Sequence, residues 1–246
     1  MNQFVRLEML LGKENMHHLA NAHVVIYGIG GVGSFIAESL ARSGVGKLTL
    51  VDFDTIAESN LNRQIHATTE TINASKVETM KERILLFHPE CKVVVRSEKY
   101  SIENAESFFE EKIDYIADAI DMVSSKLDLI CRAKEKEIPI ISAMGTGNKL
   151  FPEQLEIADL YQTSNCPLAR VMRKELKRRG IKNHMVVYSK EKPIRPLQLE
   201  KGKLHETPGS TSFVPSTAGL LMASYMVREL IDMTTIERKG EQNVNT

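Results

Sequence analysis

Residues 24–33 read Val24-Val25-Ile26-Tyr27-Gly28-Ile29-Gly30-Gly31-Val32-Gly33, an apolar run that leads directly into a glycine-rich turn. The four apolar residues are typical of a buried strand, and residues 34–42 predict a helix that Gly44 ends. Glycines with this spacing let the backbone turn sharply and approach a phosphate, towards which the amides of the next helix point. The residues predicted to form this nucleotide-binding turn are Gly28, Gly30, Gly31 and Gly33.

Acidic residues follow several of the predicted strands. Asp52 comes directly after a second strand, residues 48–51, and lies roughly 20 residues beyond the turn, where a carboxylate can hold ribose hydroxyls. Asp54 lies just beyond the same strand, and Asp121 ends a later predicted strand. Because the carboxyl ends of parallel strands meet at one edge of a sheet, we expect the three carboxylates to gather where such a sheet binds its ligand.

The remaining sequence alternates strands and helices, which is typical of a mostly parallel sheet covered on both faces. Further strands are predicted at residues 93–95, 115–121, 139–143 and 185–188, with an antiparallel edge strand at 154–159. Helices are predicted at residues 1–22, from a cap at Asn73 or Ser75 to the break at His88-Pro89, at 101–109, from Ser124 or Ser125 to 136, at 167–179 and at 217–231. The predicted fold class is α/β: a Rossmann-like, doubly wound sheet with a C-terminal extension of edge strands and helices.

The 246 residues are interpreted as one domain with four parts. These are a helical arm (1–22), a nucleotide-binding core (23–145), a substrate-side extension (146–232) and a frayed tail (233–246). The extension contains a long loop, 190–212, whose residues show no periodic hydrophobic pattern. Loops of this length in compact domains are usually functional or disordered. We expect this loop to order over the substrate.

Composition narrows the class of protein. Lys plus Arg and Asp plus Glu both total 32, so a polyanion must bind at a local basic patch. Cys91, Cys131 and Cys166 form no CxxC pair, which argues against structural zinc and disulfides and suits a reducing cytosol. The N-terminus has no signal-peptide core, and the apolar run 218–231 is too short and too charged to span a bilayer. The sequence predicts a soluble, cytoplasmic protein that does not associate with a membrane.

Two cations distinguish the predicted site from that of a dehydrogenase. Lys76 lies in the first turn of a helix, where the macrodipole is already positive, so a bound anion would stabilise it. Attack at the α-phosphorus of a triphosphate requires cations and a metal-binding carboxylate to offset charge on the leaving pyrophosphate, whereas hydride transfer does not. Arg63, Lys76 and Asp121 supply these groups, and the chain has no GxxxxGK[ST] P-loop. The residues therefore favour adenylation with ATP and Mg²⁺.

The glycine turn, Val51–Asp54, Ser59–Gln64, Lys76 and Asp118–Asp121 together resemble the ThiF/MoeB-type, ubiquitin-activating-enzyme-like adenylyltransferases in order and spacing. The resemblance implies that the glycine turn and Asp52 bind ATP, that Asn60, Arg63 and Lys76 contact its phosphates, and that Asp121 binds Mg²⁺. The nucleotide-site residues outside the turn are then Asp52, Asp54, Ser59, Asn60, Arg63, Gln64, Lys76 and Asp121.

The N-terminal segment Phe4-Val5-Arg6 resembles the family's arm, whose arginine reaches into the partner subunit's site. The resemblance therefore implies a homodimer and adds Arg6 to the catalytic residues Arg63, Lys76 and Asp121. From pattern alone, Arg6 would be a solvated helix charge.

Residues 165–176, 187–189 and 208–215 resemble the branch of this family that acts on tRNA, the tRNA threonylcarbamoyladenosine dehydratases. The branch uses ATP to activate the carboxylate of a threonylcarbamoyl group on an adenosine beside the anticodon, and the group then cyclises with loss of AMP. The basic face of the helix at 167–179 is a candidate tRNA surface, since Lys and Arg clusters bind phosphates; the alternative is a solvated face. The candidate tRNA-binding residues are Arg170, Arg173, Lys174, Lys177 and Arg178.

Two departures from the family pattern bear on the substrate and the metal site. The chain has no paired CxxC zinc ligands, which argues against a sulfur-carrier protein as substrate, and Met122 stands where Asn often follows the acid. The main alternative is an adenylyltransferase for the C-terminal glycine of a ubiquitin-like carrier. An inactive nucleotide-binding partner of sulfur-trafficking proteins and an NAD-dependent dehydrogenase are the remaining ones.

Several expectations concern side chains outside the phosphate site. Because the ring-closing nucleophile is tethered to the activated carboxylate, Cys166 needs no catalytic role; a thioester-forming Cys166 is the alternative. His66, His184 and His205 are candidates for acid–base chemistry by residue type alone, and the favoured interpretation is that each is a surface residue. A monovalent cation (Na⁺ or K⁺) is a further expected cofactor, and a cysteine desulfurase or sulfur-acceptor system a further expected partner.

Overall fold

A seven-stranded sheet forms the centre of the molecule. The computed structural model describes residues 3–195, 208–231 and 233. The strands run in the order β3-β2-β1-β4-β5-β7-β6, all parallel except β6, which pairs antiparallel with β7 at the edge. They are β1 (His23–Tyr27), β2 (Lys47–Val51), β3 (Lys92–Arg96), β4 (Tyr115–Asp118), β5 (Ile140–Ala143), β6 (Leu155–Asp159) and β7 (Met185–Ser189).

Helices cover both faces of the sheet. They are α1 (Val5–Asn21), α2 (Gly33–Arg42), α3 (Lys76–Phe87), α4 (Val123–Glu135), α5 (Pro167–Arg178) and α6 (Phe213–Leu230). Val24 and Ile26 of β1 pack into one hydrophobic core with α2, α3 and α6, whereas Val25 and Tyr27 pack into a second core with α4 and α5. All five residues of β1 are buried because the strand is covered on both sides. The predicted doubly wound α/β fold with a C-terminal edge strand is confirmed.

Some element boundaries differ from those predicted. Strand β4 ends at Asp118 rather than 121, because the Asp118 carboxylate accepts a hydrogen bond from the amide of Ile120 and turns the chain. The helix predicted at 101–109 is only a short 3₁₀ turn, Ala105–Phe108. Neither Ser124 nor Ser125 caps α4, because the helix begins at Val123 with Met122 at the N-cap position; the Ser125 hydroxyl donates to the Tyr100 carbonyl instead.

The C-terminal region was predicted only in part. Helix α6 begins at Phe213 rather than 217, because Pro215 falls in its first turn, where a proline is tolerated. Residues 196–207 of the loop predicted at 190–212 lie outside the described residues, as do residues 234–246 of the predicted tail. Within the described ranges, no helix has the length and apolar character that crossing a bilayer requires.

Candidate active site

A pocket of about 610 Å³ opens at the carboxyl ends of β1, β2 and β4. It is the position where parallel α/β sheets bind ligands, since the connections after these strands converge there. The predicted site residues that line it are Gly28, Gly30, Gly31, Asp52, Asp54, Asn60, Arg63, Gln64, Lys76 and Asp121. Residues distant in sequence thus meet around the glycine turn, while the roles predicted for them stay predictions.

The glycine turn is shaped by two close backbone approaches. Gly28 has a φ of +87°, and a Cβ atom there would lie 2.7 Å from the carbonyl oxygen of Ala119. A Cβ atom on Gly33 would lie 1.7 Å from the Gly28 carbonyl oxygen, so Gly33 is buried against the turn and does not line the pocket. A Cβ atom on Gly30 would meet no atom closer than Gln64 Nε2 at 3.9 Å, so there is space beside this part of the backbone for an approaching phosphate.

Asp52 ties the end of β2 to the glycine turn. Its Oδ2 accepts a hydrogen bond from the amide of Ile29 at 2.7 Å, and its Oδ1 accepts one from the amide of Asp54 at 2.9 Å. Carboxylate oxygens have further lone pairs, so both can still accept from ribose hydroxyls. Asp52 therefore both organises the turn and lines the pocket.

Lys76 and Asp54 form an ion pair at the pocket wall. Lys76 Nζ lies 2.7 Å from Asp54 Oδ2, and the exposed side-chain fractions are 8 % for the lysine and 48 % for the aspartate. The negative charge that a lysine in a helix's first turn requires thus comes from Asp54. Because Asp54 is half exposed, an incoming phosphate can compete with it for the ammonium group.

The Arg63 side chain packs against Gly31, since a Cβ atom added to Gly31 would lie 3.3 Å from Arg63 Cγ. The guanidinium donates to the Ser59 carbonyl at 2.8 Å and to Asn62 Oδ1 at 3.0 Å. Ser59 therefore orients Arg63 through its backbone and does not itself line the pocket. Burial lowers the pKa of Arg63 from its usual value, but a guanidinium stays charged at neutral pH.

The side-chain amides of Asn60 and Gln64, both in the Ser59–Gln64 segment, differ in their hydrogen-bond partners. Asn60 Oδ1 accepts from the Ala57 amide at 3.1 Å and so stabilises the 3₁₀ turn Glu58–Asn60. Gln64 is 5 % exposed, and its Oε1 has no hydrogen-bond partner among the described residues. Since Gln64 lines the pocket, a donor on a bound ligand would satisfy this oxygen.

Asp121 is exposed in the pocket, on the connection between β4 and α4. Within the described ranges, no three His, Cys, Asp or Glu side chains are grouped closely enough to hold a metal by themselves. Mg²⁺ is commonly bound by one or two carboxylates together with substrate phosphates and water. A single carboxylate beside a phosphate-binding turn fits such an ion.

Residues from the C-terminal half complete the pocket; none was predicted individually, although Ser210 belongs to the loop 190–212 that is expected to order over the substrate. Thr146, Ser210 and Pro215 line it, and a Cβ atom on Gly31 would also contact Pro215 Cβ at 3.3 Å. They arrive through tertiary packing, so no local pattern marks them. Tyr27 also lines the pocket; it was predicted only as a strand residue, and its buried hydroxyl has no partner in the described structure.

Arg6 and the basic helix lie away from the pocket. Arg6 is exposed on α1 and does not line the pocket of its own chain. On α5, Arg173 donates to the Thr163 carbonyl at 2.8 Å, and Arg178 pairs with Glu175 at 3.0 Å. The members of the predicted set that are exposed without these contacts are Arg170, Lys174 and Lys177.

The histidine interpretation was wrong at two positions. His66 and His184 are buried, with 2 % and 1 % exposed, and burial lowers their pKa values to about 4 and about 3. His205 lies outside the described residues. Cys166 is 3 % exposed and does not line the pocket.

The glycine turn, the strand-end carboxylates and the two cations at one sheet edge define an α/β protein of the nucleotide-binding class. The ThiF family profile matches residues 4–245, and the chain belongs to the ThiF family. The resemblance predicted from the motifs is thus confirmed.

Individual relatives cover nearly the whole chain. The tRNA threonylcarbamoyladenosine dehydratase of Bacillus subtilis (strain 168) is 40 % identical over 97 % of this chain and 98 % of its own length. The fold also matches crystal structures of the E. coli enzyme of this name. Its complex with ATP has a TM-score of 0.86 at 32 % identity over 96 % of both chains, and its complex with AMP has 0.85 at 33 % over 93 % of both.

Proposed function

We propose that this chain is an ATP-dependent tRNA threonylcarbamoyladenosine dehydratase. The observation that carries the proposal is that Arg63, Lys76 and Asp121 line one pocket with the glycine turn. The choice of substrate is supported by relatives of this name that match nearly end to end, and the choice of nucleotide by a matching structure that holds ATP.

In the first step, the carboxylate of the threonylcarbamoyl group attacks the α-phosphorus of ATP, and pyrophosphate leaves. The amides of the glycine turn bind the phosphates, while Arg63 and Lys76 offset the negative charge that grows on the leaving group. Lys76 is held ready for this by Asp54. When bound, Mg²⁺ would neutralise further phosphate charge, and Asp121 would hold it.

The second step closes the ring. A carbamoyl atom of the same side chain attacks the acyl carbon of the mixed anhydride and AMP leaves, so the net change in the nucleoside is the loss of one water. Because the nucleophile is already attached to the substrate, no enzyme nucleophile is needed. The burial of Cys166 agrees with this scheme.

We further propose that the chain forms a homodimer in which Arg6 completes the partner's site. Two apolar side chains near Arg6 on α1, Met9 and Leu10, are 82 % and 72 % exposed. Burial of such side chains against a second copy would remove apolar surface from water, which supports α1 as the contact.

The tRNA surface is proposed on α5, carried by Arg170, Lys174 and Lys177. We expect Arg173 and Arg178 to contribute less to tRNA binding, because their guanidinium groups already contact Thr163 and Glu175. A cytoplasmic location, a monovalent cation and a cysteine desulfurase or sulfur-acceptor partner stay predictions from the sequence.

The experiment that tests the function compares two acid-bearing substrates. The protein is incubated with ATP and Mg²⁺ and either tRNA carrying threonylcarbamoyladenosine or a ubiquitin-like sulfur carrier, and AMP release is measured. We expect AMP only with the tRNA. AMP release with the carrier alone would contradict the proposal.

A further inference from the structure

Four fully buried polar side chains form a hydrogen-bond network beneath the connection from β4 to α4. Asp118, Lys126 and Ser142 are 0 % exposed, and His184 is 1 % exposed. They belong to β4, α4, β5 and the residue before β7, so four segments of the fold meet here. None of them lines the pocket, and the chemistry above does not use them.

The direction of each hydrogen bond in this network follows from its donors and acceptors. Lys126 Nζ donates to Asp118 Oδ2 at 2.7 Å, and the Ser142 hydroxyl donates to the same oxygen at 2.6 Å. His184 Nε2 lies 2.8 Å from Ser142 Oγ. Because the serine proton is directed to the carboxylate, Nε2 must carry the proton and donate to Oγ. The burial that lowers the pKa of His184 to about 3 keeps this ring neutral.

The second carboxylate oxygen of Asp118 accepts a hydrogen bond from the backbone segment that lines the pocket. Asp118 Oδ1 accepts a hydrogen bond from the amide of Ile120 at 3.1 Å. The amide of Ala119 donates to the Tyr27 carbonyl at 2.8 Å, which ties the same short segment to the end of β1. The backbone that leads into Asp121 is thus fixed from below by a carboxylate whose own position is set by two further donors.

Stability alone does not account for this arrangement. Taking an aspartate and a lysine out of water is costly, and buried ion pairs can often be replaced by apolar residues without loss of stability. What an apolar pair does not provide is an acceptor for the Ile120 amide. The network therefore points to a function in geometry.

We propose that Asp118, held by Lys126 and Ser142, is a positioning residue that fixes the backbone before Asp121 and so presents Asp121 to Mg²⁺ and the nucleotide phosphates. This inference rests on the proposed function, because it takes Asp121 as the carboxylate that holds the metal. Groups that hydrogen-bond a metal ligand commonly set its affinity for the metal, and Asp118 acts one step further out, through the backbone amide of Ile120.

Two double variants separate positioning from charge and packing. Asp118→Leu/Lys126→Met removes both the ion pair and the acceptor for the Ile120 amide. Asp118→Asn/Lys126→Met also removes the ion pair but keeps a side-chain oxygen that accepts from this amide. Thermal unfolding is used to check whether each variant folds. The affinity for ATP is then measured by calorimetry without tRNA at increasing Mg²⁺, so the readout needs no turnover.

ATP affinity should rise as Mg²⁺ is added, and the quantity compared is the Mg²⁺ concentration that gives half of this rise. We expect this concentration to be about tenfold higher in the leucine variant than in wild type, and close to wild type in the asparagine variant. If the leucine variant does not fold, Ser142→Ala, which removes one donor to the carboxylate, is expected to raise the Mg²⁺ requirement severalfold. An unchanged Mg²⁺ requirement in every folded variant that loses the acceptor or the serine would overturn the inference.

The matched variant Asp121→Asn separates this inference from the proposed metal site. If Asp121→Asn also leaves the Mg²⁺ requirement unchanged, the assignment of the metal to Asp121 fails. If Asp121→Asn raises the requirement and the Asp118 variants do not, only the positioning role fails.

Discussion

The ammonium group of Lys76 donates to the carboxylate of Asp54 at 2.7 Å, across the wall of the nucleotide pocket. The lysine is nearly buried and the aspartate half exposed, so the pair holds a cation in place without shielding it from a ligand. In the proposed reaction, ATP phosphates compete with Asp54 for this cation.

Lys76→Met tests whether this cation acts on the reaction. The substitution keeps much of the side-chain length and removes the charge, so we expect AMP formation to fall by about 10²-fold or more, as loss of a charge-stabilising donor does. Folding stability should change by less than about 1 kcal/mol, because the remaining Asp54 is half solvated. AMP formation within threefold of wild type in steady-state assays would count against the role.

Three glycine-to-alanine variants should give two different results. Gly28→Ala and Gly33→Ala place a Cβ atom against backbone, at 2.7 and 1.7 Å, and Gly28 also has a positive φ. We expect each to lower the free energy of unfolding by about 1–3 kcal/mol or more. Gly30→Ala meets no atom closer than 3.9 Å, so it should fold like wild type and lose ATP affinity. Equal unfolding temperatures for all three would show that the turn is less tightly packed than described.

The buried His66 predicts an acid-dependent loss of stability. Its pKa is lowered from 6.5 to about 4 by burial, so the unfolded chain takes up the proton first as the pH falls. The stability that His66 contributes is present above pH 6.5 and is lost as the pH falls through about 4.

His66→Leu should reduce this loss by about 3 kcal/mol, because leucine takes up no proton in either the folded or the unfolded state. The two ring nitrogens have no partners in the described structure, so the substitution breaks no hydrogen bond there. Urea unfolding at pH 7 and pH 4 measures it. The same pH dependence in wild type and variant would show that His66 is not held neutral.

The exposed cations of α5 should govern tRNA binding. Lys174→Ala/Lys177→Ala is expected to weaken tRNA binding and reduce the slope of log affinity against log salt by about 1 per cation, while ATP affinity is unchanged. Lys92→Ala, an exposed lysine at the start of β3, is the matched control. Equal effects of the control and the α5 variant on tRNA binding would refute the assignment.

Cys166→Ala tests the tethered ring closure. Since the thiol is 3 % exposed and the nucleophile is on the substrate, the variant should release AMP and form the cyclised nucleoside within about threefold of wild type. A folded variant, judged by its thermal unfolding, that adenylates but does not cyclise would favour a thioester mechanism.

Much of the fold could be predicted from the sequence, because strand and helix periods are local and strand ends of a parallel sheet converge by topology. The same rule found Asp52, Asp54 and Asp121. It could not show that Asp118, which ends β4, is buried while Asp121 is exposed in the pocket. Asp118 is held in the core by Lys126 and Ser142, and the burial of these partners is a property of the packed structure.

Other parts of the site could not be predicted because they depend on long-range packing. Ser210 and Pro215 reach the pocket only when α6 folds onto α2, and the burial of His66 and His184 follows from neighbours distant in sequence. The helical period of α5 likewise showed which charges share a face, but not that Arg173 hydrogen-bonds Thr163; the tRNA-binding role of the set stays a prediction.

The central claim is tested most directly by mass spectrometry of tRNA nucleosides after incubation of the protein with ATP, Mg²⁺ and tRNA that carries threonylcarbamoyladenosine. The account predicts that the modified adenosine loses the mass of one water, in step with AMP release, and that Lys76→Met prevents the loss. An unchanged nucleoside mass with folded, ATP-binding protein would contradict it.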